Sequence, residues 1–226
     1  MADHSLVYVA DVMCSWCWGF APTIERLRDE LGLEVLVVNG GLRPGESAEQ
    51  LTPKMAAFLK GCWTEVGTAS GQPFDMRGLE RGVGWWYDTE PASRAVATLR
   101  DQAPEAALTL FHRLQEAFYS QNIDIVQPST WLPLLDGLVA DPPSFIVRAM
   151  GEEGRRLAWR DFSQAQSWGI SGFPCLLLRE QEQLRLVTRG WAPSDAVVDG
   201  VRTHLEKQVG TPQEGTVCDV GAPGAC

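Results

Sequence analysis

Residues 5–41 read SLVYVADVMCSWCWGFAPTIERLRDELGLEVLVVNGG, and their pattern decides the architecture. Ser5–Ala10 is a short, β-favouring run. Ile24, Leu27 and Leu31 then recur at helical spacing; Pro22 is tolerable in a first turn, and Gly32 is a natural stop. Leu33–Val38 reads as a buried strand ending in Asn39-Gly40-Gly41. Two strands joined through an amphipathic helix predict a parallel βαβ unit, because parallel strands need a crossover of this length.

Cys14 and Cys17 fall where the first strand gives way to the helix. Their i, i+3 spacing brings both sulfurs to one side, within bonding reach. Unpaired N–H groups at a helix start favour a thiolate there, and such settings lower a cysteine pKa to about 3.5–7.5 from about 8.5. Cys17 can attack a mixed disulfide held on Cys14 and release the product. Two other readings of the pair are half of a zinc site and two buried sulfurs. Zinc would need a second Cys or His pair at similar spacing. His4, His112 and His204 are scattered, and Cys218 and Cys226 are widely spaced, so no metal is expected.

Beyond "GLRPG" the pattern turns helical. Met55, Phe58, Leu59, Cys62, Trp63 and Val66 share a face, and Leu108, Phe111, Leu114 and Phe118 run in register. "STWLPLLDGLV" and "SFIVRAM" read as shorter helices, and no strand is expected between about residues 42 and 151. A helix ending at Gly169, a turn "ISGFP", the strands "CLLLR" and "LRLVTRG", and a helix from Ser194 follow. The expected organisation is a discontinuous α/β domain of residues 1–41 and 152–209. Residues 42–151 form an all-helical insertion that can cover it, and 210–226 a flexible, Gly/Pro-rich tail.

A proline directly before a buried strand, as in "SGFPCLLL", suits a cis peptide bond, though an ordinary trans turn fits equally. If Pro174 is cis, the Phe173 carbonyl and the strand edge face Cys14 and can pair with an extended peptide. "CSWC" after a first strand, a helical insertion and a late "GFP" together resemble the DsbA-like branch of the thioredoxin superfamily. Within it, "MCSWCWGF", "DTEPASRAV", "LFHRLQEAFY" and "GISGFPCLLL" are similar to the cytosolic FrnE-like oxidoreductases. The resemblance implies a thioredoxin-like fold interrupted by a helical insertion, with Cys14 as nucleophile, Cys17 as resolving thiol and Pro174 as the cis-proline. Kappa-class glutathione transferases and related isomerases of that superfamily typically carry Ser at the first cysteine; here both cysteines are present.

Trp16, Trp18, Phe173 and Pro174 are the expected substrate-contacting residues, although Trp18 and Phe20 could instead pack the helix on the sheet. Ser15 and Trp16 add no positive charge between the cysteines, so a less oxidising couple than the strongest oxidants is expected. Cys175 follows Pro174 and is either a third redox thiol or a small buried hydrophobe. Cys62 is expected to be structural. From residue 209, Cys218 can reach roughly 30 Å in extended chain; Cys218 and Cys226 are thus candidates to exchange electrons with Cys14, or incidental thiols.

The net charge of −10 argues against nucleic acid or an anionic membrane surface as partner. No run of 18 apolar residues predicts a membrane span. The N-terminus lacks a secretory pattern, so a cytoplasmic location is expected. In a reducing cytosol the pair would rest mostly reduced. The expected function is thiol–disulfide exchange on protein or small-thiol substrates, as reductase or isomerase, with no tightly bound cofactor and glutathione as candidate electron donor or co-substrate. The alternatives are a kappa-type glutathione-dependent isomerase or transferase and a chaperone-like peptide-binding module.

Overall fold

The computed structural model describes residues 4–82 and 84–209. Strand β1 (His4–Ala10), helix α1 (Ser15–Leu31) and strand β2 (Glu34–Asn39) form the parallel crossover unit. Gly32, at φ +65°, supplies the left-handed turn that ends α1. β5 (Cys175–Glu180) lies antiparallel on the other side of β1, and β6 (Gln183–Arg189) closes the order β2-β1-β5-β6. Flanked on both sides, β1 buries Leu6 to Ala10 completely, which is why it reads as an unbroken apolar run.

The pleat divides this core. Leu6, Tyr8 and Ala10 face α1 and Val197, Val198 and Val201 of α7 (Ser194–Val209). Val7 and Val9 face the other way, toward Ala165 of α6 (Glu152–Ser167) and Ile170. The fold is thus a thioredoxin-like mixed sheet with helices on both faces, interrupted between β2 and α6 by a mainly helical segment. That segment holds α2 (Pro53–Ser70), α3 (Glu90–Gln102), α4 (Pro104–Tyr119) and α5 (Pro142–Met150). No described helix is long and apolar enough to cross a membrane.

The segment is not all-helical. Glu49–Gln50 (β3) and Trp86–Tyr87 (β4) pair antiparallel as a second sheet, two residues each, too short to show a period of two. Pro128–Leu135, expected as an α-helix, is a 3-10 helix with Pro133 inside it. In α2 the buried stripe is Met55, Leu59, Trp63 and Val66. Phe58 lies one position round the helix from Leu59 and is 61% exposed, and Cys62 is half-buried at the stripe's edge.

Aromatic packing unites the segment. Trp63 meets Phe74 at 5.5 Å and Tyr119 at 5.2 Å, and such pairs contribute about 0.5–1.5 kcal/mol each beyond area burial. A buried polar network fixes the end of β2. Asp161 of α6 receives Arg100 of α3 through two bonds, 2.6 and 2.8 Å, and also accepts the Asn39 side-chain amide at 2.8 Å. Pro22 lies inside α1 and has no N–H, so the Trp18 carbonyl lacks its helical donor. Gln72 Nε2, just past α2, donates to that carbonyl at 3.1 Å.

Candidate active site

Cys14 is the N-cap of α1, with extended backbone at φ −88° and ψ 115°. Its carbonyl accepts the N–H of Cys17 at 2.9 Å and of Trp18 at 3.1 Å, which starts the helix. The Phe173–Pro174 peptide bond is cis, and the Phe173 carbonyl accepts the Cys14 thiol at 3.5 Å. The Pro174 carbonyl accepts Gly190 N–H at 2.7 Å, tying this loop to the one after β6. Cys14 retains 7% of its surface, whereas Cys17, one turn on, retains none. Burial is the main cause that pushes the Cys17 thiol up, followed by its hydrogen bond to the Cys14 sulfur and that sulfur's charge. All four described cysteines are free thiols.

The Cys14–Cys17 turn is clamped from several elements. Tyr8 of β1 donates its hydroxyl to the Cys17 carbonyl at 3.2 Å. Tyr87 of β4 donates to the Met13 carbonyl. Asp11 is wholly buried; Oδ1 accepts Met13 N–H at 2.9 Å and Oδ2 accepts Leu42 N–H at 2.8 Å. Burial raises the Asp11 carboxyl, and the bonds from Leu42 and Met13, the Thr89 hydroxyl and the Arg43 charge oppose that rise. The Asp11 charge is one of the lesser causes that raise the Cys17 thiol, so the carboxyl belongs to that thiol's electrostatic surroundings.

The expected site residues divide. Trp16 is half-buried beside Cys14, with its ring 5.7 Å from that of Trp191. Trp191 is anchored by a bond from Nε1 to the Gly19 carbonyl at 3.1 Å. Trp18 does not line a groove. It is buried, donates Nε1 to the Pro73 carbonyl at 3.0 Å and stacks on Tyr119, so it packs α1 against the helical segment. Phe173 offers Cys14 its carbonyl, not its ring. Cys175 is buried on the opposite face of the sheet, with Val7, Val9 and Leu177, because strand residues alternate and Leu176 takes the Cys14 side. Burial raises the Cys175 thiol, opposed by Arg189. Cys218 and Cys226 lie outside the described residues.

Asp11, Tyr87 and Trp191 are site residues that sequence reading missed. Asp11 left a signal, an acid closing an apolar strand just before the cysteines; Tyr87 and Trp191 left none. Among the described residues no group of three or more His, Cys, Asp or Glu is placed to hold a metal.

No family model matches the chain, and no curated protein does. Solved structures do. A candidate protein disulfide isomerase from Nitrosomonas europaea is 34% identical, with a TM-score of 0.80, covering 90% of this chain and 98% of that one. The cytosolic disulfide reductase DsbM from Pseudomonas aeruginosa, also solved with GSH, is 21% identical. Its TM-score is 0.73, over 91% of this chain and 98% of that one. A candidate DsbA oxidoreductase from Streptomyces coelicolor is 15% identical, with a TM-score of 0.69, over 99% and 98% of the two chains. The last two likenesses show the fold alone. With the identity to the Nitrosomonas protein across nearly its whole length, the chain belongs to the DsbA-like thiol–disulfide oxidoreductases of the thioredoxin superfamily.

Proposed function

We propose that Cys14 and Cys17 carry thiol–disulfide exchange on protein or small-thiol substrates, in the reducing direction. One observation carries this reading: Cys14 is the N-cap residue of α1 and its thiol meets the Phe173 carbonyl beside cis Pro174, with buried Cys17 one turn on.

Cys14, as thiolate, attacks one sulfur of a substrate disulfide. The substrate S–S bond breaks, a Cys14–substrate disulfide forms, and the freed substrate sulfur leaves and takes a proton. Cys17 passes its proton to the Asp11 carboxylate and attacks the Cys14 sulfur. The Cys14–Cys17 disulfide forms, and the second substrate thiolate leaves with a proton. The substrate has gained two electrons and two protons. Two equivalents of a small thiol such as glutathione return the pair to the dithiol and become a disulfide themselves. The likeness to a reductase solved with GSH supports that donor. We also read the chain as FrnE-like and cytoplasmic, supported by its sequence motifs and by the cytosolic reductase of the same fold.

Trapping tests the reading. Cys17→Ala should accumulate mixed disulfides on Cys14, Cys14→Ala none, and the wild-type pair should titrate against glutathione. No trapped partner and no titratable bond would overturn it. Glutathione-dependent turnover that survives Cys17→Ser would point to an isomerase or transferase instead. Suppression of aggregation without either cysteine would point to a peptide-binding module.

A further inference from the structure

We infer that Gly40 is a positioning residue for the Cys14 site: its missing side chain seats the Phe173 ring and thereby fixes the Phe173 carbonyl against Cys14. The inference rests on the proposed exchange at Cys14. A Cβ added at Gly40 would lie 2.1 Å from Phe173 Cε1, 2.2 Å from Cζ and 2.6 Å from Cδ1. Carbon atoms at optimal contact stand about 3.5–4.0 Å apart, so the ring occupies the place of the side chain. Gly40 is not among the glycines with positive φ, whereas Gly32, Gly41 and Gly45 are. An alanine could therefore adopt its backbone, and the need for glycine is one of space.

The seat is held and the ring's own loop is less so. Gly40 N–H bonds the Ala10 carbonyl at 2.7 Å, extending the β1–β2 ladder. The residue before it, Asn39, gives its backbone N–H to Asp161 at 3.1 Å and its side-chain amide to Asp161 and to the Ser93 carbonyl. The residue after it, Gly41, packs on Phe162 of α6. In contrast, Ser171 and Gly172, which lead into Phe173, are exposed. A methyl at position 40 would therefore displace Phe173 rather than β2, and the carbonyl would leave the Cys14 thiol. The contact chain runs from Asp161 through Asn39 and Gly40 to Phe173, so helices α3 and α6 set the place of a backbone group at the reacting sulfur.

Three variants test this: Gly40→Ala, Phe173→Ala and the double variant. For Gly40→Ala, kcat/KM toward a disulfide peptide should fall by up to roughly 100-fold, the scale of an ångström-sized misplacement. Iodoacetamide should react faster with its Cys14, now freed from the carbonyl. The double variant should recover most of both changes, because the methyl then meets no ring, and Phe173→Ala alone should lose less than Gly40→Ala. Unchanged alkylation in Gly40→Ala overturns the inference, as does a double variant as impaired as the sum of the singles. If Gly40→Ala does not fold, the double variant decides: folded and active supports the inference, unfolded overturns it. Alkylation needs no substrate, so a wild-type protein without exchange activity would end the proposed function and leave the contact independently tested.

Discussion

Cys14 and Phe173 stand 159 residues apart and meet through a thiol-to-carbonyl hydrogen bond of 3.5 Å. The meeting follows from sheet register: Val9 pairs with Cys175 across antiparallel β1 and β5, so the loops beyond those residues share one end of the sheet. Cys17, one turn on, retains no surface at all, against 7% for Cys14. When the folded dithiol protein is treated with excess iodoacetamide, mass spectrometry should find one adduct, on Cys14, in the Cys14–Cys17 peptide. Cys17 should react only after unfolding, since it is out of solvent and its thiol is pushed up by burial.

The same shift gives a pH dependence. A raised thiol pKa keeps Cys17 protonated through neutral pH, so its thiolate fraction grows as pH rises. In Asp11→Asn, which lacks the proton acceptor, the rate at which Cys17 releases a partner from Cys14 should climb through pH 9, the ordinary thiol value, without a plateau below it, whereas in wild type it should stay level from the Asp11 titration up to that range. Asp11 acts in the opposite limb. Its carboxyl is raised from 3.8, so as pH falls through that raised value the proton acceptor is lost and release slows. Asp11→Asn should slow release by about 10²–10⁴ at neutral pH, the usual reach of general base catalysis. Stopped-flow measurement of thiol release at the wild-type rate in this variant would remove Asp11 from the mechanism.

Trp16 and Trp18 should separate cleanly. Trp18→Ala removes a buried ring and leaves the Pro73 carbonyl without its donor, costing about 3–5 kcal/mol in urea unfolding. Trp16→Ala loses one half-buried aromatic contact, about 0.5–1.5 kcal/mol. It should raise KM for a disulfide peptide several-fold and leave kcat near wild type. Equal stability losses in the two variants would contradict the assignment of Trp16 to substrate and Trp18 to packing.

Arg100→Met should be severe. It strands the buried Asp161 carboxylate, with both side chains of the pair below 10% exposure. Removing one partner of such a pair costs about 3–5 kcal/mol. The urea midpoint should fall accordingly, and Asp161→Asn in the same background should restore part of it by removing the lone charge. A fall below about 1 kcal/mol, the surface-pair range, would mean that water reaches the site.

The opening βαβ unit and the late β-hairpin are legible in the sequence because each is a local pattern: apolar period, helix stop, turn. The Cys14–Cys17 pair and Pro174 are legible for the same reason. Asp11 is harder, since its carboxylate is held by Leu42, 31 residues on, and only the closed fold shows that it is buried. Gly40 is harder still: a glycine after a strand reads as a turn, and its partner ring lies beyond the whole helical segment. Cys175 and Trp18 each carried two readings, and the fold takes the packing one in both, for opposite reasons. Adjacency to Pro174 suggested nearness to Cys14, but the pleat turned Cys175 away. A ring beside a reactive cysteine suggested a binding groove, but the helical segment had already covered Trp18.

Pro22 takes on a different character in this light. By withholding one N–H from α1 it leaves the Trp18 carbonyl to Gln72 of the helical segment, while the next carbonyl, that of Gly19, receives the indole of Trp191 from beyond β6. Two separate parts of the chain thus grip neighbouring links of one helix turn. A single missing N–H thereby lets two distant parts of the chain hold the backbone one turn beyond Cys14 and Cys17.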